Sequence, residues 1–156
     1  MGSYRLTWRE HGGGHLALGH KPGKKLRKAL DETGCTLVVN LLSDKESRAS
    51  VSSRRVRFPL DTARPPGPER DAEALALLRR MRAELAGGGK VFVHCSAGLH
   101  RTGMLAFAYF RHDGLPPEQA LAAITALRPL TAAELTEERM AWGERFAGAA
   151  ESSSAH

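Results

Sequence analysis

His94-Cys95-Ser96-Ala97-Gly98-Leu99-His100-Arg101-Thr102-Gly103 decides how the rest of this chain is read. The apolar run Val91-Phe92-Val93 before it reads as a buried strand, and Met104, Leu105, Phe107, Ala108 and Phe110 after it read as a helix. A loop that closes a strand onto a helix N-terminus turns several backbone N–H groups inward. The concave cage they form carries positive potential and suits an anion. Gly98 and Gly103 let the backbone turn that tightly. In such a cage the helix end, the amide dipoles and a nearby cation favour the thiolate of Cys95, which makes it a nucleophile. Arg101, six residues on, can return across the loop and hold two oxygens of a tetrahedral phosphate in its planar fork. In this reading Ser96, Ala97, Gly98, Leu99, His100 and Arg101 bind the phosphate. Thr102 places a hydroxyl near the sulfur to steady the departing thiolate, and His94 either orients the loop or helps to ionise the thiol.

These residues, His-Cys-x-x-Gly-x-x-Arg-Thr, resemble the signature of the cysteine-dependent protein phosphatases, and the small chain looks most like a dual-specificity phosphatase. The resemblance runs over about residues 16 to 148. It implies an α/β fold with a central, mostly parallel sheet flanked by helices. It also implies a general acid on a stiff loop ahead of the cysteine. Asp61 opens the proline-rich stretch Asp61-Thr62-Ala63-Arg64-Pro65-Pro66-Gly67-Pro68, 34 residues before Cys95, and so takes that role. The chemistry needs such a group, because a departing alkoxide or phenoxide must be protonated and the attacking water later deprotonated. Asp44 and Asp71 are the alternatives, although Asp71 falls near a helix start, where a carboxylate favours the helix dipole.

The resulting expectation is a metal-independent phosphomonoester hydrolase that works through a phospho-cysteine intermediate without a cofactor. The substrate expected first is a phosphorylated protein, bearing phosphotyrosine or phosphoserine and phosphothreonine. RNA, nucleotide and phosphoinositide phosphates are alternatives for the same chemistry. A rhodanese-like sulfurtransferase also cradles an anion around a cysteine, but its loop lacks the Gly-x-x-Arg-Thr pattern and a partner aspartate. A non-catalytic phosphate-binding module would not need Cys95, Arg101 and Asp61 together.

At 156 residues the chain reads as one domain, residues 1–150, with a disordered tail over 151–156. A net charge of +6 favours acidic partners without choosing among phosphoproteins, phosphoinositides and RNA. Two cysteines in unrelated contexts and the lack of a secretory apolar segment point to a reducing cytoplasm. No apolar run approaches membrane-spanning length, so no membrane partner is expected, and the chain reads as a monomer. His11, His15 and His20 surround a glycine-rich turn that holds no fixed geometry and read as no metal site.

Along the chain, Tyr4 to Trp8 alternates as a first strand and Leu16-Ala17-Leu18 as its partner. Pro22 opens a helix carrying Leu26 and Leu30 on one face, which Gly34 ends. Thr36 to Leu42 is a continuous apolar run, the pattern of a strand covered on both faces, and Cys35 at its start reads as a core or edge thiol. Ser43-Asp44-Lys45-Glu46 follows, either at the cleft entrance or as a solvated loop. Arg54 to Leu60 reads as an edge strand ended by Pro59, and Arg54, Arg55, Arg57, Arg64 and His100 as a basic rim to a shallow cleft. Glu69 to Ala86 is an amphipathic helix, and Pro116-Pro117 open another that stops before Pro129. Thr131 with Glu134 matches a capping box for a last helix carrying Leu135, Trp142 and Phe146.

Overall fold

The computed structural model describes residues 6–47 and 52–149. Its strands are β1 (Arg9–His11), β2 (Gly14–Gly19), β3 (Leu37–Asn40), β4 (Arg55–Arg57) and β5 (Lys90–His94), and they form one sheet in the order β1-β2-β5-β3-β4. Among the paired strands of the described residues, only the β1–β2 hairpin is antiparallel. The β2–β5, β5–β3 and β3–β4 pairs are parallel, so the expected mostly parallel α/β sheet is what forms. The helices are α1 (Lys24–Glu32), α2 (Asp71–Ala86), α3 (His100–His112), α4 (Pro117–Leu127), α5 (Pro129–Ala133) and α6 (Glu137–Glu144), with a 3-10 turn over Pro68–Arg70 leading into α2.

Strand β5 lies in the middle of the sheet, and this position fixes the loop that follows it. Gly19 of β2 and Asn40 of β3 both stand opposite His94, and the Leu41 amide donates to the His94 carbonyl at 3.0 Å. The residue before Cys95 is therefore held from both sides, at the C-terminal edge where parallel sheets present their ligand sites.

The two faces of the sheet are covered unequally. One carries the main core: Leu16, Leu37, Val39, Val91 and Val93 pack against Leu78, Met81 and Leu85 of α2 and against α3. Ten of the thirteen α3 residues are buried, which makes it a central rather than an amphipathic helix. On the other face Ala17 and Phe92 form a smaller cluster with Leu26 and Leu30 of α1, against which Leu6, Trp8 and Val38 also pack. Truncating a fully buried leucine such as Leu78 in the main core would cost about 2–5 kcal/mol.

Four expectations are corrected here. The first strand is Arg9–His11, not Tyr4–Trp8; of that stretch Tyr4 and Arg5, like the tail at 151–156, lie outside the described residues. Strand β3 is only partly covered on its α1-side face, where Val38 stays half-buried against the cluster of Leu26 and Leu30. Among the described residues four helices, α3 to α6, rather than three follow the loop, since Pro129 starts the short α5. Thr131 is not a cap: α6 is capped by Thr136, whose hydroxyl accepts from the Arg139 amide, while Thr131 lies inside α5 and bonds elsewhere.

Candidate active site

Cys95 is only 3% exposed and sits at the base of the loop joining β5 to α3. The fully buried Thr102 hydroxyl donates to its sulfur at 3.1 Å. Three loop carbonyls turn away from the sulfur side. Ser96 accepts from the Lys21 amide at 2.9 Å, Ala97 from Arg128 Nη1 at 3.0 Å, and Gly98 from Arg128 Nη1 at 2.7 Å and the Thr131 hydroxyl at 2.6 Å. In a trans peptide the N–H of the next residue points opposite to the carbonyl, so the amides of Ala97, Gly98 and Leu99 face into the loop. Gly98 adopts φ +76°, and a Cβ there would stand 2.3 Å from the Gly19 carbonyl oxygen. No side chain fits.

Arg101 is the charged member of the loop. Its Nη1 and Nη2 hold both oxygens of Glu46, at 2.6 and 3.1 Å, and Nη1 also donates to the Leu60 carbonyl at 2.8 Å. Arg101 holds Glu46 down to about 2, and Glu46 in turn raises Arg101, an effect the nearby Cys95 sulfur reinforces. Glu46 itself is fixed by its turn, where its carboxylate accepts from the Ser43 amide at 3.0 Å. A carboxylate lowered by its partner contributes its stabilisation above the ordinary carboxylate range and loses it only as pH falls through about 2. The pair is ionised at neutral pH.

Glu46→Gln therefore should lower kcat for an aryl phosphate about tenfold, a fraction of the roughly 1.5–3 kcal/mol that charge-assisted pairs are worth. Inhibition by inorganic phosphate should weaken little, because a negative charge is removed from the anion's surroundings. Steady-state kinetics decide it. An unchanged kcat would mean that the Leu60 carbonyl alone fixes the arginine.

Burial lowers His94 to about 4, so the ring is neutral at pH 7 and its Nδ1–H donates to the Cys95 carbonyl at 3.1 Å. The ring bonds the Cys95 carbonyl, an arrangement that orients the loop. His100 starts α3, but its ring turns to Glu134 at 2.9 Å.

The loop after β4 brings Asp61 beside this arrangement. The carbonyl of Pro59 accepts from Arg70, that of Leu60 from Arg101, and that of Ala63 from Arg139 of α6 at 2.9 Å. Asp61 itself is exposed and makes no hydrogen bond or ion pair among the described residues. The alternatives are both engaged: Asp44 pairs with Arg57 at 3.0 Å, and Asp71 pairs with Arg145. Arg64 lines a depression with Pro65, Pro66 and Trp142 next to α6. Arg54, Arg55 and Arg57, expected at the rim, line a cleft on the α1 side of the sheet whose lining includes neither residues 95–101 nor Asp61.

Reasoning from the sequence missed Glu46, Arg128 and Thr131. The first matched a solvated loop as well as a site. Thr131 carried a competing local signal, the capping-box spacing to Glu134, and Arg128 carried none.

The comparisons agree with this geometry. A family model described as protein-tyrosine phosphatase matches residues 31–135. Among solved structures, Tk-PTP in its active form is 25% identical with a TM-score of 0.67, covering 88% of this chain and 94% of that one. DUSP15 is 22% identical with a TM-score of 0.70, covering 95% and 90%. PTPMT1 in complex with PI(5)P is 21% identical with a TM-score of 0.68, covering 89% and 94%. At those identities the last two show a shared fold. A search of curated proteins gives no match. The chain belongs to the protein-tyrosine phosphatase family and is a metal-independent cysteine phosphatase. Among the described residues no helix is long and apolar enough to cross a membrane.

Proposed function

We propose that this protein is a dual-specificity protein phosphatase in which Cys95, Arg101, Asp61 and Thr102 carry the chemistry. The observation that carries the reading is the Thr102 hydroxyl donating to the buried Cys95 sulfur at the base of a loop whose carbonyls turn outward. Cys95 Sγ attacks phosphorus, the bond to the leaving oxygen breaks, and the Asp61 carboxyl supplies that oxygen with a proton. Water then attacks phosphorus, gives its proton to Asp61, and displaces the thiolate, which the Thr102 hydroxyl receives. Arg101 and the amides from Ser96 to Arg101 stabilise the phosphoryl oxygens, a task that metal ions perform in other phosphoryl-transfer sites. His94 holds the loop's orientation. Residues 1–150 act as one catalytic unit. Its free Cys35 and Cys95 suit a monomeric enzyme of a reducing, cytoplasmic compartment.

Ser96 and Ala97 are exposed, which supports a phosphate loop close to the surface. A shallow site lets phosphoserine and phosphothreonine reach the sulfur as well as the longer phosphotyrosine. The test compares phosphotyrosyl and phosphothreonyl peptides, a phosphoinositide and a 5′-phosphorylated oligonucleotide, each at low and high salt. Both peptides should turn over, and acidic substrates should lose rate as salt screens the +6 chain. Strict phosphotyrosine selectivity, or exclusive turnover of the lipid or the oligonucleotide, overturns the dual-specificity reading.

A further inference from the structure

Helix α1 covers β2 and β5 but only partly covers the same face of β3 and β4, and a cleft of about 340 Å³ remains there. Its floor is apolar, built from Leu30, Val38 and Leu42. Cys35 adds a neutral wall, since burial pushes its thiol up to about 11. Cations stand on both sides. Lys21 and Arg27 come from α1 and the turn before it, and Arg54, Arg55 and Arg57 from β4 and the residue before it. Register explains the second group: Arg55 stands beside Val38 and Arg57 beside Asn40, so both arginines project on the face that α1 only partly covers.

Counter-charge is scarce. Asp31 is the one carboxylate lining the cleft among the described residues. Arg57 is held by Asp44 and by the Leu42 and Ser43 carbonyls. The side chains of Lys21, Arg27, Arg54 and Arg55 have no hydrogen bond or ion pair among the described residues. Like charges gathered around a small cleft with a low-dielectric floor raise the local potential, and an anion bound there relieves it.

We infer that this cleft binds a small organic polyphosphate. Guanidinium forks match phosphate oxygens in pairs, and the two walls offer such forks to more than one phosphate. A volume of about 340 Å³ falls in the range of small-molecule sites and exceeds what one phosphate fills, so an organic body occupies the apolar floor. The site is separate from the catalytic loop: neither residues 95–101 nor Asp61 line it. It nevertheless adjoins that loop, because His94 and Lys21 line the cleft and also bond to the carbonyls of Cys95 and Ser96.

Calorimetric titration of protein saturated with orthovanadate, which occupies the catalytic loop, tests this. ADP and a soluble inositol bisphosphate serve as free ligands, pyrophosphate as a charge-only control, and vesicles bearing the same inositol bisphosphate headgroup as a surface source. At least one free organic polyphosphate should bind at one site, more tightly than pyrophosphate and less tightly in high salt. Arg27→Ala with Arg55→Ala, both exposed positions, should weaken it at least tenfold and leave aryl phosphate hydrolysis unchanged. Absence of binding, equal affinity for pyrophosphate, indifference to the double substitution, or binding of the headgroup only in vesicles overturns the inference. The result does not depend on the catalytic reading, which fails separately if wild-type protein hydrolyses no phosphomonoester.

Discussion

Cys95→Ser should remove aryl phosphate hydrolysis while the folded protein still binds phosphate or vanadate weakly. The serine hydroxyl stays protonated in this loop, so the expected loss is roughly 10⁴–10⁶-fold, the scale on which removing an activated nucleophile acts in covalent hydrolases. Binding survives because the groups that hold the anion are not altered: Arg101 keeps Glu46 and the Leu60 carbonyl, and the outward carbonyls of residues 96–98 keep their donors. The wild-type rate should be indifferent to a chelator. Substantial residual turnover in the serine variant would mean that the reaction uses another nucleophile. A chelator-sensitive rate restored by a divalent ion would contradict the metal-independent route.

Asp61→Asn should slow the enzyme in proportion to the leaving group's need for a proton. General acid catalysis is typically worth about 10²–10⁴-fold, so a phosphorylated alkyl alcohol should lose on that scale and nitrophenyl phosphate far less. The amide keeps the size of the side chain, and Asp61 has no partner among the described residues to lose, so stability should be unaffected. Rates for the two leaving groups, measured side by side with the pH profile, give the answer. Equal slowing would remove Asp61 from the acid role and turn attention to Asp44 and Asp71, whose arginine partners would then have to release them.

What the sequence made legible was what is local in the chain. The Cys95 loop is a strand end, one glycine at positive φ and a helix start within ten residues, and the same short-range rules that shape it also show in its spelling; Gly103, expected to serve the turn as well, lies inside α3 and faces Thr131. Helix starts at Pro117 and stops near Gly34 and Gly87 were readable for the same reason. The supports of the loop were not. Glu46 meets Arg101 across 55 positions, and Arg128 meets Ala97 across 31, contacts that exist only once β3, α3 and α5 have docked. Thr131 shows the conflict most directly. Its Thr-x-x-Glu spacing satisfies a local capping rule, but the hydroxyl is fully buried against the Gly98 carbonyl, and tertiary packing outweighs the cap.

The hydrogen bond from Arg101 to the Leu60 carbonyl bears on how this enzyme can vary over time. It joins the Arg101 side chain to the backbone one residue before Asp61. The accepting atom belongs to the main chain, which every residue possesses. Drift at position 60 is limited by packing, since Leu60 is 2% exposed, yet no side-chain replacement there deletes the contact itself. A lineage can therefore rework the surface of the Asp61 loop while the main-chain tie between that loop and Arg101 is inherited unchanged.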